Sequence, residues 1–272
     1  MKAKYIISFF LLVLLLGAIG YLPSFLSSYG LLDWPAILIV IFTIIGGGSP
    51  TFAALITTRL ESGKQALPSL FKQFNPRHVS WIWFVVAIGL PAAIALCVAG
   101  LWRASGNAYP MDEVLLAQAF PLLVSNFALN MWEEVGWRGY AFRTLQKKHS
   151  ALIATLITGI VWAVWHWPLF FMAGSQLAAN YHNSYPLFVA TTLAVSVIYA
   201  WLYNSSAHNL MVVSLFHAAS NSANTLLLAQ TGIAYDASVF YFSAVAVLAV
   251  VLIGIFKPRY LIPRKESARP GL

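Results

Sequence analysis

Long apolar stretches, separated by short polar connections, follow one another along the whole chain. Each is about 20 residues long, the length that an α-helix needs to cross the hydrocarbon core of a bilayer. The stretches are apolar nearly all round, unlike amphipathic surface helices. The pattern predicts an all-α protein, a polytopic membrane helix bundle of about eight transmembrane helices. The predicted spans are Tyr5–Leu22, Trp34–Thr58, Val79–Trp102, Val114–Trp132, Ala151–Met172, Tyr185–Tyr203, Asn209–Ala229 and Val239–Phe256.

The composition agrees with a membrane environment. The chain is 60% hydrophobic and only 9% charged, whereas a soluble globular protein carries roughly 25% charged residues. A soluble protein of 272 residues could enclose a large core, but it would still need a charged surface. This chain has too few charges to form one, so the expected surroundings are a lipid bilayer.

The basic residues indicate how the bundle is oriented. If the N-terminus is cytosolic and eight spans follow, every Lys and Arg except Arg103 and Arg138 falls in a cytosolic segment, as the positive-inside rule requires. Both termini are therefore expected in the cytosol. The net charge of +8 lies in short loops and at the chain ends beside apolar runs, so we expect contact with lipid head groups and no nucleic acid partner. The compact size and the lack of eukaryotic sorting signals favour a bacterial inner (plasma) membrane.

A run of small residues from Gly46 to Pro50 interrupts the second predicted span. Such a break could bind a ligand, as in transporters, but a kink or the close packing of small residues is the simpler interpretation. The same run contains Gly47-Gly48-Ser49, a weak match to the G-x-S of rhomboid-type proteases. No following span has a suitably placed His, so we give this match little weight.

One pair of acidic residues directly follows an apolar run and continues into a helical pattern. Glu133 and Glu134 directly follow the fourth predicted span, and Arg138 lies four residues after Glu134. A charge at membrane depth costs at least about 2.5–3.5 kcal/mol and usually marks a functional site. Glu134 and Arg138 can pair on one helix face, which leaves Glu133, about 100° round the helix, free for another task. The alternative is that these charges only close a helix at the cytosolic interface.

Two histidines, His166 and His217, also lie within apolar spans. His217 and Asn221 share a helix face because they are four residues apart, and Trp162 can cover one side of the His166 imidazole. Side chains this costly to bury must converge on one another or on a wet cavity. A carboxylate, two imidazoles and a carboxamide suit hydrolysis, because Glu can deprotonate water, His can share or return the proton, and a His–Asn pair can donate to an oxyanion.

These motifs resemble the CPBP family of membrane peptidases, which includes the CAAX prenyl endopeptidases and the bacteriocin-processing or self-immunity (Abi-type) proteins. The family pattern is E-E-x-x-x-R, then F-x-x-x-H, then H-x-x-x-N or H-x-x-x-D on successive helices. The resemblance covers about Val114 to Leu228, and Trp162 replaces the family's Phe. The matching motifs are Glu133-Glu134-x-x-x-Arg138, Trp162-x-x-x-His166 and His217-x-x-x-Asn221.

The resemblance implies a role for each matching residue. Glu133 would activate the attacking water, which His166 would help to hold. His217 and Asn221 would form the oxyanion site. The remaining pair, Glu134 and Arg138, would orient and stabilise the other site residues.

The resemblance also raises the question of a metal. The family has been described as metal-dependent, with the Glu and both His as ligands. Here these would be Glu133, His166 and His217, a set that could hold zinc with an open position. The shorter account needs no cofactor and no metal, and it is the one we favour.

The resemblance predicts a division of the chain into three parts. Residues 1–112 would hold the N-terminal transmembrane helices 1–3 with a cytosolic loop. Residues 113–230 would form a CPBP-like catalytic core of helices 4–7, and residues 231–272 the last transmembrane helix and a basic cytosolic tail. The predicted function is a CAAX-protease-like intramembrane endopeptidase that hydrolyses a peptide bond with a Glu-activated water in a membrane-embedded cavity. Its partner would be a peptide or protein substrate, lipidated or embedded in the membrane.

Two other functions stay open. One is a proton-coupled transporter, whose buried ionisable groups would line a path open to both faces; the absence of an inverted repeat counts modestly against it. The other is a bacteriocin self-immunity protein or scaffold that keeps the fold without proteolysis. The intact set of polar residues counts against the second, because burying it without use is costly.

Overall fold

A computed structural model describes residues 3–107, 117–181, 183–231 and 234–262 of the chain. Over these ranges the secondary structure is helical, without strands, and a helix lies in each of the eight predicted spans. Residues 114–116 of the fourth predicted span lie outside the described residues. The helices are α1 (Ala3–Ser28), α2 (Ala36–Ser62), α3 (Pro68–Lys72), α4 (Trp81–Ala104), α5 (Ala119–Gly136), α6 (Arg143–Gln146), α7 (Ala151–Trp165), α8 (Trp167–Phe170), α9 (Gln176–Asn180), α10 (Tyr185–Ser205), α11 (Leu210–Thr231) and α12 (Ala234–Phe256).

Five helices in the described part of the chain are long and apolar enough to cross a membrane. They are α1, α2, α4, α10 and the Ala237–Phe256 portion of α12. The apolar helix α7 is shorter, and α5 and α11 carry the polar side chains of the predicted site, which lower their hydropathy. The all-α polytopic membrane bundle is thus confirmed, while the number of about eight spans stays a prediction.

The fifth predicted span, Ala151–Met172, is wrong in its second half. Helix α7 ends at Trp165, and the short helix α8 begins at Trp167. The cause is Pro168, which stands at the start of α8. Proline has no backbone N–H, so Pro168 cannot bond to the carbonyl four residues earlier, and its ring crowds that carbonyl. The regular helix α7 therefore ends before His166, which lies between the two helices.

The helices that carry the predicted motifs belong to one packed bundle. Helix α5 lies against both α2 and α11, α11 also contacts α4, and α10 contacts α7 and α12. Helix α1 packs along α2. Large apolar side chains on the outer helices remain exposed, including Leu11, Ile37, Leu96 and Val250. Such an exterior fits lipid and would be unfavourable in water.

Small residues allow three of the helices to approach closely. A Cβ atom added to Gly20 of α1 would overlap the backbone of Gly46 in α2, and one added to Gly136 of α5 would overlap the backbone of Pro50. Helix α2 runs without a break through the run from Gly46 to Pro50. The run therefore serves close packing, as expected, since small residues are what lets membrane helices meet.

The loops predicted to be cytosolic meet at one end of the bundle. In the loop before α4, the Gln73 side chain accepts a hydrogen bond from the Tyr203 hydroxyl at 2.6 Å and donates to the Gly139 carbonyl at 3.3 Å. After α12, the Arg259 carbonyl accepts from the Ala151 amide at 2.9 Å. The Tyr29 hydroxyl, in a loop predicted to lie on the other side, instead donates to the carbonyl of Phe171. This arrangement agrees with the predicted alternation of the helices.

The contact of α1 with α2 should depend on the absence of a side chain at Gly20. We expect Gly20→Ala to lower the free energy of unfolding by about 1–3 kcal/mol, because overpacking forces the backbones apart. Gly254→Ala is the matched control, since a Cβ at Gly254 of α12 would meet nothing within 4 Å. Denaturation of the purified variants in detergent measures the difference, and equal midpoints for both variants would contradict it.

His208 lies between α10 and α11, with its ring 5.1 Å from that of Tyr203. Burial lowers the pKa of His208 to about 4, and the charge of Arg143 acts in the same direction. In the unfolded chain a histidine has a pKa of about 6.5. As the pH falls from 6.5 towards 4, the unfolded state therefore takes up the proton first, and the native state loses stability.

Replacing His208 should remove this dependence on pH. We expect the free energy of unfolding of the parent protein to fall by on the order of 2 kcal/mol more than that of His208→Asn between pH 7 and pH 4. Asparagine is the suitable replacement because His208 has a φ of 59°, which asparagine tolerates better than most residues. Denaturation at several pH values tests this, and parallel curves for the two proteins would refute it.

Candidate active site

A cavity of about 340 Å³ lies among the helices that carry the predicted motifs. Glu133 of α5, His166 between α7 and α8, and His217 and Asn221 of α11 all line it. The rest of the wall mixes carboxamides, hydroxyls and aromatic rings, including Asn126, Asn180, Asn224, Ser220, Tyr199, Tyr241 and Phe188. Side chains that are far apart in the sequence are thus brought to one concave, partly polar surface.

Glu133 and Glu134 face different directions because adjacent residues of a helix are rotated by about 100°. Glu133 reaches the cavity, where its Oε2 atom accepts a hydrogen bond of 3.2 Å from the indole Nε1–H of Trp162. Directly before it, the Trp132 carbonyl accepts a hydrogen bond from the Thr51 hydroxyl, which fastens α5 to α2. The base of the predicted mechanism therefore stands on a helix that is anchored at that point.

Glu134 is fully buried and joins two helices through a single carboxylate oxygen. Its Oε1 atom accepts a hydrogen bond of 3.0 Å from Arg138 and is 2.8 Å from Nδ1 of His217. Burying a carboxylate is expensive unless it is paired and hydrogen-bonded. Arg138, which is 4% exposed, supplies the opposite charge, and His217 supplies a contact from α11.

Arg138 is itself held between two aromatic rings. Its guanidinium carbon is 3.8 Å from the ring centroid of Tyr199 and 4.7 Å from that of Trp162, which is cation–π geometry. The residue belongs to a π-helical segment, Trp137–Phe142, that follows α5 directly. Such segments are uncommon and frequently occur at functional sites.

The hydrogen-bond partners of the two imidazoles indicate where their protons lie. Nδ1 of His166 is 2.9 Å from the Trp162 carbonyl. A carbonyl can only accept, so Nδ1 carries the proton and Nε2 of the neutral ring is an acceptor. Nδ1 of His217 likewise donates to Oε1 of Glu134, which also accepts from Arg138, so Nε2 of His217 is a donor only when that ring is an imidazolium.

The structure thus divides the six predicted site residues into two groups. Glu133, His166, His217 and Asn221 line the cavity. Glu134 and Arg138 lie behind it, where they hold His217 and the ring of Trp162. Of the histidines that were assigned no chemistry, His78, His149 and His208 do not line the cavity, and His182 lies outside the described residues.

Glu133, His166 and His217 are the zinc ligands that the resemblance implies. Among the described residues, no group of three His, Cys, Asp or Glu side chains is placed to hold a metal ion. Glu133, His166 and His217 line one cavity, but they are not arranged around one ion in this structure. Each imidazole has an oxygen partner at Nδ1, which leaves its Nε2 atom as the ring nitrogen without that partner. The account without a metal therefore stays a prediction.

Sequence reasoning missed two contributors to the cavity. Tyr199 contacts both Arg138 and the His217 ring, whose centroid is 5.5 Å away. The Nε1–H group of Trp162 donates to Glu133, whereas the sequence suggested only an aromatic wall. A tyrosine inside an otherwise apolar span was the available signal, since its hydroxyl needs a partner there.

The weak rhomboid-like match does not contribute to the cavity. Ser49 is fully buried within α2. Its hydroxyl accepts a hydrogen bond of 2.8 Å from Nε1 of Trp165. Ser49 therefore fastens α2 to α7 and has a packing role.

Comparison with known proteins finds matches for the segment that carries the three motifs. Residues 115–223 match the family model described as Type II CAAX prenyl endopeptidase Rce1-like. A CAAX prenyl protease 2 of Methanococcus maripaludis is 33% identical over 110 residues, which are 39% of this chain. The chain spans 41% of the length of that relative. The matched segment lies within the predicted core, residues 113–230, although the three-part division itself stays a prediction.

All three motifs, from Glu133 to Asn221, fall inside the matched segment. The helical membrane bundle, the shared cavity and the two matches agree with one another. The resemblance noted in the sequence is thus confirmed over residues 115–223, which are similar to the Type II CAAX prenyl endopeptidase Rce1-like family.

Proposed function

We propose that this protein is an intramembrane endopeptidase in which Glu133 activates the attacking water. The observation that carries the proposal is that Glu133, His166, His217 and Asn221, from separate parts of the chain, line one cavity. A carboxylate, two imidazoles and a carboxamide on the wall of one cavity are sufficient for peptide hydrolysis by general acid–base catalysis.

In the first step, Glu133 takes a proton from a water molecule that the Nε2 atom of His166 helps to hold. The water oxygen forms a bond to the carbonyl carbon of the scissile peptide, and the carbonyl oxygen becomes an oxyanion. In the second step, the C–N bond breaks and protonated Glu133 returns its proton to the leaving nitrogen. The products are a carboxylic acid and an amine, and Glu133 is again a carboxylate.

The oxyanion is stabilised from α11. The carboxamide of Asn221 offers N–H donors to the cavity, and Nε2 of His217 adds another when the ring is an imidazolium. Glu134 fixes the orientation of the ring, because its carboxylate accepts from Nδ1 of His217. The buried pair of Glu134 and Arg138 thus acts on the reaction through His217.

The proposed mechanism uses no metal and no other cofactor. Glu133 supplies the base and α11 supplies the oxyanion donors, so the two tasks that a catalytic zinc would perform are assigned to side chains. A metal chelator is therefore expected to leave cleavage by the purified protein unchanged.

The proposed substrate is a peptide or protein that reaches the cavity from the membrane. The relative carries the name CAAX prenyl protease 2, which favours a lipidated substrate for this chain. The cavity, at about 340 Å³, is at the small end of the range for ligand sites and would hold a few residues around the scissile bond.

Replacing Glu133 with its uncharged isostere tests the mechanism directly. We expect Glu133→Gln to lower kcat by at least about 10²-fold, because glutamine cannot accept the proton of the water. It keeps an oxygen for the Trp162 indole, so the fold should be preserved. Cleavage of internally quenched peptides in proteoliposomes measures the effect, with prenylated C-a-a-X peptides and unlipidated transmembrane peptides as separate sets.

Glu61→Gln is the matched control, since Glu61 lies at the end of α2 and does not line the cavity. It should leave kcat unchanged, and all three proteins should unfold at similar temperatures. A Glu133→Gln protein with the activity of the parent would disprove the role of Glu133. A parent protein that cleaves neither peptide set would contradict the proposed activity.

We further propose that the protein lies in a bacterial inner membrane with both termini in the cytosol. In a Cys97→Ala background, a cysteine at Ser69, in exposed helix α3, should be hidden from a membrane-impermeant maleimide in right-side-out vesicles. A cysteine at Ser105, exposed after α4, should react. Labelling in the reverse pattern would invert the proposed orientation.

A further inference from the structure

Trp162 stands where the related peptidases have phenylalanine, and it makes a contact that phenylalanine cannot make. Its indole Nε1–H donates to Oε2 of Glu133 at 3.2 Å. Among the described residues, no other hydrogen-bond donor reaches this carboxylate. A phenyl ring would fill similar space without an N–H group, so the interaction depends on the tryptophan.

The indole ring is itself fixed in place by its neighbours. The Arg138 guanidinium lies over it at 4.7 Å. The rings of Tyr199, His166 and His217 surround it with centroid distances of 5.6–5.7 Å. A buried aromatic ring with contacts on several sides keeps one rotamer, so the N–H vector towards Glu133 is set before substrate arrives.

Trp162 also holds the second group that is proposed to contact the water. Its backbone carbonyl accepts the Nδ1–H of His166 at 2.9 Å. One residue therefore fixes Glu133 through its side chain and His166 through its backbone. Because both groups must meet the same water, the geometry between them depends on Trp162.

We infer that Trp162 is a positioning residue for the general base of the proposed peptidase reaction. This inference rests on the proposed function. The indole N–H occupies Oε2 of Glu133, and the second oxygen, Oε1, is left to take the proton of the water. Without the indole bond the carboxylate can turn among several rotamers, of which few present an oxygen to the water.

The experiment removes the N–H group while keeping the ring. Trp162→Phe in the full-length protein is expected to lower kcat roughly 10- to 100-fold, in the range that a misplaced catalytic group costs. KM should change less than about threefold, because the lost interaction orients the base and does not bind substrate. Cleavage of the same quenched peptides in proteoliposomes gives both constants.

Two tryptophan analogues introduced at position 162 separate hydrogen bonding from packing. Benzothienylalanine has nearly the shape of tryptophan but carries sulfur in place of N–H, and it should lower kcat as Trp162→Phe does. The analogue 5-fluorotryptophan keeps the N–H and should retain the activity of the parent. Full activity with benzothienylalanine would overturn the inference, because a residue that only packs would accept it.

The matched control removes a comparable indole hydrogen bond that lies outside the cavity. Ser49→Ala deletes the acceptor of the Trp165 indole and should leave kcat and KM unchanged, even if thermal stability falls. The Glu133→Gln protein is measured alongside. If Glu133→Gln is inactive while Trp162→Phe is as active as the parent, the inference fails and the proposed function stands. If Glu133→Gln is as active as the parent, the proposed function fails as well.

Discussion

The carboxylate of Glu134 is the interaction on which the arrangement of the site depends. It is completely buried, and its Oε1 atom contacts both Arg138 of its own helical segment and His217 of α11. Removing one partner of such a group would leave an uncompensated buried charge, at a cost of roughly 3–5 kcal/mol. The two helices are therefore held in one register, and Glu133, the neighbouring residue, is directed to the cavity as a consequence of helix geometry.

The aromatic rings extend this constraint to the remaining helices. Arg138 lies between Trp162 of α7 and Tyr199 of α10, and both rings also contact His217. Cation–π contacts gain strength when the cation is withdrawn from water, so a buried guanidinium can organise several helices at once. The close approach of α2 to α5 at Gly136 completes the support by fixing the helix that carries Glu133.

The sequence was sufficient for the helical class, the set of polar residues and their convergence. The reason is physical: few ionisable groups can be kept at membrane depth, and those that are kept must meet one another. The sequence could not predict that Glu134 also contacts His217, or that Glu133 accepts a hydrogen bond from Trp162, because both contacts depend on how the helices pack. The sequence analysis also predicted one continuous span, Ala151–Met172, although Pro168 indicated that the helix would end near His166.

The exchange of phenylalanine for tryptophan shows why the surroundings of a residue must be considered along with its type. Both residues are aromatic, and from sequence alone the change affects only the shape of the pocket wall beside His166. In a bundle with few polar groups, however, a buried indole N–H without an acceptor destabilises the folded protein. The indole N–H of Trp162 donates to Glu133. The same hydrogen bond therefore gives the indole its acceptor and orients the carboxylate. A change that introduces a donor beside the proposed catalytic carboxylate is therefore a change in the proposed active site, even though the residue at this position remains aromatic.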